Sequence, residues 1–277
     1  MRKRFKSLKS NVCLIMIMAA MFALALAGCA ATPDTQTAPG NGAKDTLYQV
    51  STLGALMQGV YDGEMEVGKL VQEGDLGIGT FEALDGEMVV LDGRVYQVRG
   101  DGKVVEVDDA VKTPFAVVTW FESDQQIQSL TGIESYDQLK AELDKLRSSP
   151  NLFYAYKVEG TFEYVKTRSV PPQSKPYPPL VEVTDLQPTF ELHNVKGTLV
   201  GFWFPSYAEG VNMPGFHFHF LTEDYTAGGH LLECILVEGS ASVDNTTEFY
   251  MRLPENEHFT HMSLEGVAKG DIERAEQ

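Results

Sequence analysis

Residues 216–220 read Phe-His-Phe-His-Phe, and this alternation is the most informative stretch of the chain. Side chains of a β-strand alternate between its two faces, so His217 and His219 share one face while the phenylalanines occupy the other. His230 comes directly after Gly228-Gly229 and opens a second apolar run. A hairpin formed by the two runs would bring the three imidazoles together. The stretch therefore predicts a β-rich fold that carries a three-histidine metal site.

Zinc is the metal that this donor set favours. Three histidines from two strands are a common arrangement for catalytic Zn²⁺, because further coordination positions stay open. The donor set lacks thiolates, which also favours zinc, although the affinity order of divalent metals leaves copper and iron open. The alternative is three unrelated polar residues. The other three of the six histidines lie in separate or polar segments, where we expect them to be exposed or structural: His193, His258 and His261.

Most of the remaining sequence shows strand patterns in two blocks. Residues 46–169 contain β-rich runs, two short helical pieces and one amphipathic helix over Ser135–Arg147. Residues 181–277 are more strongly β. Between them, residues 170–180 hold five prolines, which predict a stiff extended connector. The patterns indicate a β-rich α+β fold of two domains, an N-terminal mixed sheet with a few helices and a C-terminal bent sheet or barrel with the metal-binding hairpin.

The first 28 residues have the features of a secretory signal peptide. Five cations precede an apolar run of 16 residues, from Val12 to Ala27, which is short for a membrane-spanning helix. The run ends in Leu-Ala-Gly followed by Cys29, which resembles a bacterial lipobox with Cys29 as the lipidated residue. Residues 29–45 are small and polar and predict a flexible tether. We therefore expect an exported lipoprotein that is held on the extracytoplasmic side of a membrane by its lipid alone.

Charge and cysteine content exclude several classes of protein. The 277 residues carry a net charge of −17, and a chain this acidic is not expected to bind nucleic acid. Of the three cysteines, Cys13 lies in the signal segment and Cys29 would carry lipid. Cys234 alone remains, so the processed chain is expected to have no intrachain disulfide. Its apolar surroundings in the sequence predict a buried thiol.

Four short motifs together resemble the α-acetolactate decarboxylase family. They are Gly79-Thr80-Phe81, Leu84-Asp85-Gly86-Glu87, Thr113-Pro114-Phe115, and His217-x-His219 with His230 eleven residues later. The resemblance extends from about residue 47 to the C-terminus. It implies two β-rich α/β domains, a homodimer with one zinc ion per chain, and the decarboxylation of (S)-2-acetolactate to (R)-acetoin.

The resemblance also assigns roles to individual residues. His217, His219 and His230 correspond to the zinc ligands. Four further positions correspond to active-site residues of the family: Thr80, Glu87, Arg168 and Glu276. The match of Glu276 to the C-terminal glutamate that reaches back to the site is the least specific, because Glu273 lies one helical turn away.

The chemistry of a β-keto acid agrees with these roles. Loss of CO₂ leaves an electron pair that moves onto the ketone oxygen, where a Lewis acid stabilises it. Arg168 would orient the substrate carboxylate, and Glu87 or Glu276 would deliver the proton that sets the acetoin stereocentre. Two alternatives stay open on the residues alone. One is another three-histidine zinc enzyme, a hydratase or hydrolase with a site like that of carbonic anhydrase. The other is a non-enzymatic zinc-binding surface lipoprotein.

Overall fold

The computed structural model describes residues 44–264 and 269–276, which belong to one compact unit. Strands dominate this part of the chain. They are β1 (Thr46–Val50), β2 (Met65–Glu66), β3 (Leu76–Thr80), β4 (Glu87–Leu91), β5 (Arg94–Val98), β6 (Val104–Glu106), β7 (Lys112–Thr113), β8 (Ala116–Thr119), β9 (Gln125–Ile133), β10 (Phe153–Arg168), β11 (Thr189–Phe204), β12 (Gly215–Thr222), β13 (Gly228–Thr246) and β14 (Glu248–Arg252).

The α-helices of the described residues are short. They are α1 (Leu53–Met57), α2 (Val67–Leu70), α3 (Tyr136–Leu143), α4 (Leu180–Thr184), α5 (Glu257–His261) and α6 (Lys269–Glu276). Helix α3 is the predicted amphipathic helix: the hydroxyl oxygen of Ser135 accepts the N–H of Gln138 at 3.1 Å and caps it, and Leu139 and Leu143 are buried. None of the described helices has both the length and the apolar character needed to cross a membrane.

The first large sheet has the strand order β14-β1-β8-β3-β4-β5-β6. Its pairs are antiparallel except for β1 with β14, which run parallel. One face of this sheet packs against the second sheet through a shared apolar cluster, to which Val89 and Val117 contribute from the first sheet and Val200 and Phe202 from the second. The N-terminal ends of β4 and β12 can therefore supply side chains to one site between the layers.

The second sheet has the order β10-β11-β12-β13-β9 and is closed by a further pairing of β10 with β13. A ring is thus formed by β10, β11, β12 and β13. Strand β13 pairs with β10 along one edge, and its other edge pairs first with β12 and then with β9. Gly160 faces Gly197 on one neighbour and Gly239 on the other. A Cβ on Gly160 would lie 2.5 Å from the carbonyl oxygen of Glu238, so the strands approach too closely here for a side chain.

The β-rich α+β fold class is confirmed, and Cys234 is buried as predicted. The sheets, however, do not divide at the proline-rich segment 170–180. Strand β10 precedes that segment yet pairs with β11 and β13, and β14 follows it yet returns to the first sheet beside β1. The pairing of distant strands is a tertiary property that strand patterns alone do not contain. The domain bounds 46–169 and 181–277 therefore do not coincide with the sheets.

One local prediction also differs from the structure, and a second group of predictions concerns residues that the structure does not describe. The β-branched run Val181–Thr184 predicts a strand, whereas α4 occupies Leu180–Thr184 and buries Leu180 and Val183. The signal segment 1–28, the lipidation site Cys29 and residues 29–43 of the tether lie outside the described residues. The predictions made for them stay predictions.

Candidate metal centre

The hairpin of β12 and β13 brings the three predicted histidines together. His219 and His230 face each other directly across the two strands, and His217 lies two residues before His219 on the same face. One ring nitrogen from each histidine lies within 4.8 Å of the others, and all three side chains are buried. The spacing and the nitrogen donors fit a single metal ion.

Gly229 allows β10 to pass close to the start of β13. Its φ of +129° lies in the region that favours glycine, and a Cβ would lie 2.4 Å from the carbonyl oxygen of Arg168 on β10. Strand β10 therefore passes directly beside the start of β13. Because of this close approach, Arg168 and His230 become register partners on adjacent strands.

The orientation of His219 is set by the first sheet. Its Nδ1 donates to the carbonyl oxygen of Met88 at 2.7 Å, which leaves Nε2 with a lone pair. That Nε2 is buried, has no hydrogen-bond partner among the described residues, and lies 3.4 Å from Oε2 of Glu87. A lone pair that faces a carboxylate oxygen is satisfied by a cation placed near both, so the donors present fit a divalent metal.

The electrostatics favour neutral imidazoles. Burial lowers the pKa of His219 to about 4; the bond to Met88 opposes this, and the charge of Arg168 adds to it. Burial, His219 and Arg168 hold the pKa of His217 well below its usual value. The Nε2 atom of His217 lies 3.1 Å from Nδ1 of His230. A neutral imidazole is the form that ligates a metal, so these rings are ready to bind one near neutral pH.

Arg168 is the buried cation of the site. It ends β10, and its Nη2 lies 3.2 Å from Nε2 of His230 and donates to the carbonyl oxygen of Ala275 in α6. A cavity of about 40 Å³ lies between Arg168, the three histidines and Glu87. Its other walls are mainly apolar and include Leu56, Leu84, Phe115, Val170, Leu180 and Ala275. An anionic group entering this cavity would meet a guanidinium in surroundings of low polarity.

Comparison with known proteins agrees with the motifs. The sequence profile of alpha-acetolactate decarboxylase matches residues 47–266. Alpha-acetolactate decarboxylase of Methanosarcina mazei is 48% identical over 237 residues, which are 86% of this chain and 82% of that protein. The chain belongs to the alpha-acetolactate decarboxylase family. The crystal structure of the family member from Bacillus subtilis strain 168 superposes with a TM-score of 0.81 at 38% identity, covering 83% of this chain and 99% of that one.

Thr80, which the family resemblance places near the metal, lines the cavity and fixes the turn before Glu87. Its hydroxyl donates to the carbonyl oxygen of Gly86 at 2.7 Å. Ala83 and Leu84, in the same turn, have positive φ values of 62° and 59°, a conformation that non-glycine residues adopt at an energetic cost. The Thr80 bond helps to hold this turn, so that Glu87 begins β4 beside His219.

Glu276 is the last of the family positions along the chain. It ends α6, and the preceding residue Ala275 both lines the cavity and accepts from Arg168. The side chain of Glu276 lies outside the described part of the chain. The backbone of α6 nevertheless runs past the site, as the resemblance implies for a C-terminal glutamate of the family.

Two residues that support the site were not predicted from the sequence. The carbonyl of Met88 orients His219, and every residue offers such a carbonyl, so no side-chain signal marks it. Gln97 donates from Nε2 to the carbonyl oxygen of Asp85 at 2.5 Å and supports the turn before Glu87. The detectable signal was a polar residue within the apolar strand β5. The remaining histidines lie elsewhere, and His193 is exposed on β11.

Proposed function

We propose that this chain decarboxylates (S)-2-acetolactate to (R)-acetoin and CO₂ at a zinc ion held by His217, His219 and His230. The observation that carries the proposal is the buried three-histidine cluster with Arg168 beside it, in a chain of the alpha-acetolactate decarboxylase family. Metal donors and a carboxylate-binding cation within one small cavity suit a substrate that carries both a carboxylate and neighbouring oxygen ligands.

A bound Zn²⁺ would supply a Lewis acid for the negative charge that develops on the ketone oxygen as CO₂ leaves. The protein supplies the orientation. Arg168 offers parallel N–H donors to the carboxylate and holds the breaking carbon–carbon bond in one direction relative to the ketone. The main-chain carbonyl of Ala275 holds the guanidinium, and the apolar walls around Leu84 and Phe115 keep water from the site.

The enediolate that remains must receive a proton on one face. Glu87 is the described carboxyl group nearest the cluster, at 3.4 Å from Nε2 of His219, and we assign it this role. Its side chain is only 13% exposed, so it would deliver the proton away from bulk water. Glu276 is the other carboxyl that the family resemblance brings to the site.

The proposal also covers location and assembly. We propose that cleavage before Cys29 and lipidation of its thiol anchor the protein outside the cytoplasm, and that the chain forms a homodimer. Replacement of Cys29 by serine should move the protein from the membrane fraction to the soluble fraction of the producing cells. Light scattering of the chain from residue 30 onward should give twice the mass of one chain.

The first experiment uses the chain from residue 30 onward with racemic 2-acetolactate. CO₂ release and the enantiomers of acetoin are measured before and after treatment with a zinc chelator, and again after Zn²⁺ is restored. We expect a single acetoin enantiomer, loss of its formation with the chelator, and recovery with zinc. A folded protein with one metal ion bound that forms no acetoin would overturn the decarboxylase proposal and favour hydration or hydrolysis.

A further inference from the structure

Two hydroxyl groups flank the guanidinium-bearing residue of the site. Thr167 donates from Oγ1 to the carbonyl oxygen of Gly228 at 2.8 Å, and Ser169 donates from Oγ to the carbonyl oxygen of Val98 at 2.6 Å. Thr167 and Ser169 are fully buried, and Arg168 between them is 3% exposed. Both bonds therefore form away from bulk water, where the loss of one partner is costly.

The two acceptors lie on strands beside different residues of the site. Gly228 begins β13, two residues before His230. Val98 ends β5 in the first sheet and is the register partner of Glu87. The Thr167 bond thus ties the end of β10 to the metal-binding hairpin, while the Ser169 bond ties it to the strand beside Glu87.

The Ser169 bond is the more informative of the two, because β10 ends at Arg168. Thr167 is held by strand pairing on both sides, opposite Phe190 and Leu231. Ser169 lies beyond the last strand pair, and its N–H makes only a long bond of 3.3 Å to the carbonyl of Pro188. The hydroxyl of Ser169 thus makes a short hydrogen bond that joins the end of β10, where Arg168 lies, to β5 of the first sheet.

We propose that Ser169 is a positioning residue that sets the location of Arg168 relative to Glu87. The inference rests on the proposed function, in which Arg168 orients the substrate carboxylate and Glu87 delivers the proton. Ser169 does not line the cavity and acts through Arg168. A shift of Arg168 by a fraction of an ångström would misalign the carboxylate with the proton donor, and displacements of this size reduce turnover strongly.

The test is a double-mutant cycle of Ser169→Ala and Arg168→Ala in the metal-loaded enzyme. Two quantities are measured for each variant. The first is kcat/KM for acetolactate, and the second is the calorimetric affinity for 2-hydroxy-2-methylpropanoate, an unreactive 2-hydroxy acid. We expect Ser169→Ala to lower both quantities about tenfold in the Arg168 enzyme and less than about twofold in the Arg168→Ala enzyme. Zinc affinity should change less than about twofold, since no ligand is altered.

The matched control is Thr119→Val. The hydroxyl of Thr119 is also buried and donates to a main-chain carbonyl, that of Thr46 at 3.0 Å, but Thr119 does not line the cavity. Its variant should show a similar loss of thermal stability with unchanged kcat/KM. An equal effect of Ser169→Ala in both arginine backgrounds, or no effect in either, would overturn the proposal.

The outcomes also separate this inference from the proposed function. If the unsubstituted enzyme formed no acetoin but bound the hydroxy acid, the proposed function would fail and the affinity cycle would still decide the role of Ser169. If the unsubstituted enzyme did not bind the hydroxy acid at all, carboxylate recognition by Arg168, and with it the role of Ser169, would be overturned.

Discussion

His219 in the second sheet donates its Nδ1–H to the carbonyl oxygen of Met88 in the first sheet, at a distance of 2.7 Å. Met88 directly follows Glu87, whose carboxylate lies near the other nitrogen of the same imidazole. One strand, β4, thus contacts both sides of the ring. The contact fixes the tautomer and the direction of Nε2, which couples the geometry of the three-histidine cluster to the packing of the two sheets.

Replacement of a histidine should remove the metal. His219→Ala deletes one of three donors, and we expect zinc affinity to fall by more than the roughly 10- to 100-fold that loss of a supporting hydrogen bond alone produces. Zinc content after dialysis and competition with a chromophoric chelator measure the effect. The control is His193→Ala, which removes an exposed histidine on β11 and should leave one zinc ion per chain. Equal zinc content in the two variants would refute the assignment of His219.

Arg168→Lys should separate catalysis from metal binding. Lysine keeps the charge but loses the planar pair of N–H donors, so kcat/KM for acetolactate should fall by about 10- to 100-fold. Zinc content should be unchanged, because Arg168 is not among the proposed ligands. Lys166→Ala, which breaks the 3.1 Å ion pair with Glu233, should retain the activity of the parent enzyme. Near-normal kcat/KM in Arg168→Lys would exclude a bidentate role.

Glu87→Gln tests the source of the proton. The amide keeps the shape of the side chain but has no acidic proton, and removal of a general acid typically slows a reaction about 10²- to 10⁴-fold. We expect slower acetoin formation with loss of enantiomeric purity, because solvent then delivers the proton. Glu276→Gln is the comparison variant and should retain a single enantiomer. The reverse result, a racemic product only in Glu276→Gln, would transfer the role to Glu276. Chiral gas chromatography distinguishes the two.

Thr80→Val should loosen the turn that precedes Glu87. It removes the 2.7 Å bond to Gly86 with little change in side-chain volume. We expect unfolding free energy to fall by about 1–3 kcal/mol, because a buried carbonyl loses a partner, and kcat to fall with it. Thr80→Ser keeps the hydroxyl and should recover most of kcat, even though it loses a methyl group. Calorimetric melting and steady-state kinetics give the two readings. A Thr80→Val enzyme with full kcat would show that the turn needs no such support.

The three-histidine cluster could be predicted because it depends on local pattern. The alternation over residues 216–220 and the glycine pair before His230 specify which side chains share a face. The residues that contact the cluster could not be predicted from local pattern. The contact between His219 and Met88 spans 131 residues and uses a main-chain acceptor, and no sequence pattern encodes it. Arg168 meets His230 only because β10 and β13 pair over most of their lengths.

The strand boundaries show the same limit. The sequence patterns predict separate short strands over 152–158 and 161–166 and over 189–193 and 199–204, whereas β10 and β11 each continue for 16 residues through Gly160 and Gly197. At both glycines a Cβ would lie 2.5 Å from a carbonyl oxygen of a neighbouring strand, so glycine is required within these continuous strands. The helix α4 replaces a predicted strand because Leu180 and Val183 pack into an apolar cluster with Ile272 of α6. Such packing overrides the β-propensity of valine.

A carboxyl group far from the cluster carries a separate pH dependence. Asp244 on β13 is 1% exposed; its Oδ2 accepts the N–H of Glu122 at 3.1 Å, and its Oδ1 has no hydrogen-bond partner among the described residues. Burial raises the pKa of Asp244 from 3.8 to about 7; the bond from Glu122 N–H opposes this, and the nearby carboxylates Asp124, Asp45 and Glu122 add to it. The folded protein therefore binds this proton more tightly than the unfolded chain does.

Asp244→Asn should consequently stabilise the protein at alkaline but not at acidic pH. Because the folded-state pKa is raised, the free energy of unfolding of the parent falls as pH rises from about 4 to about 7 and stays lower above that range. The amide removes this ionisation, so the melting temperature of Asp244→Asn should exceed that of the parent at pH 8 by several degrees, at roughly 2–4 °C per kcal/mol, and equal it near pH 4. Melting curves from pH 4 to pH 8 measure the difference.

Asp92→Asn, which neutralises an exposed carboxylate, is the charge-matched control and should shift the melting temperature little at either pH. A constant difference between Asp244→Asn and the parent across the range would show that Asp244 does not titrate within it.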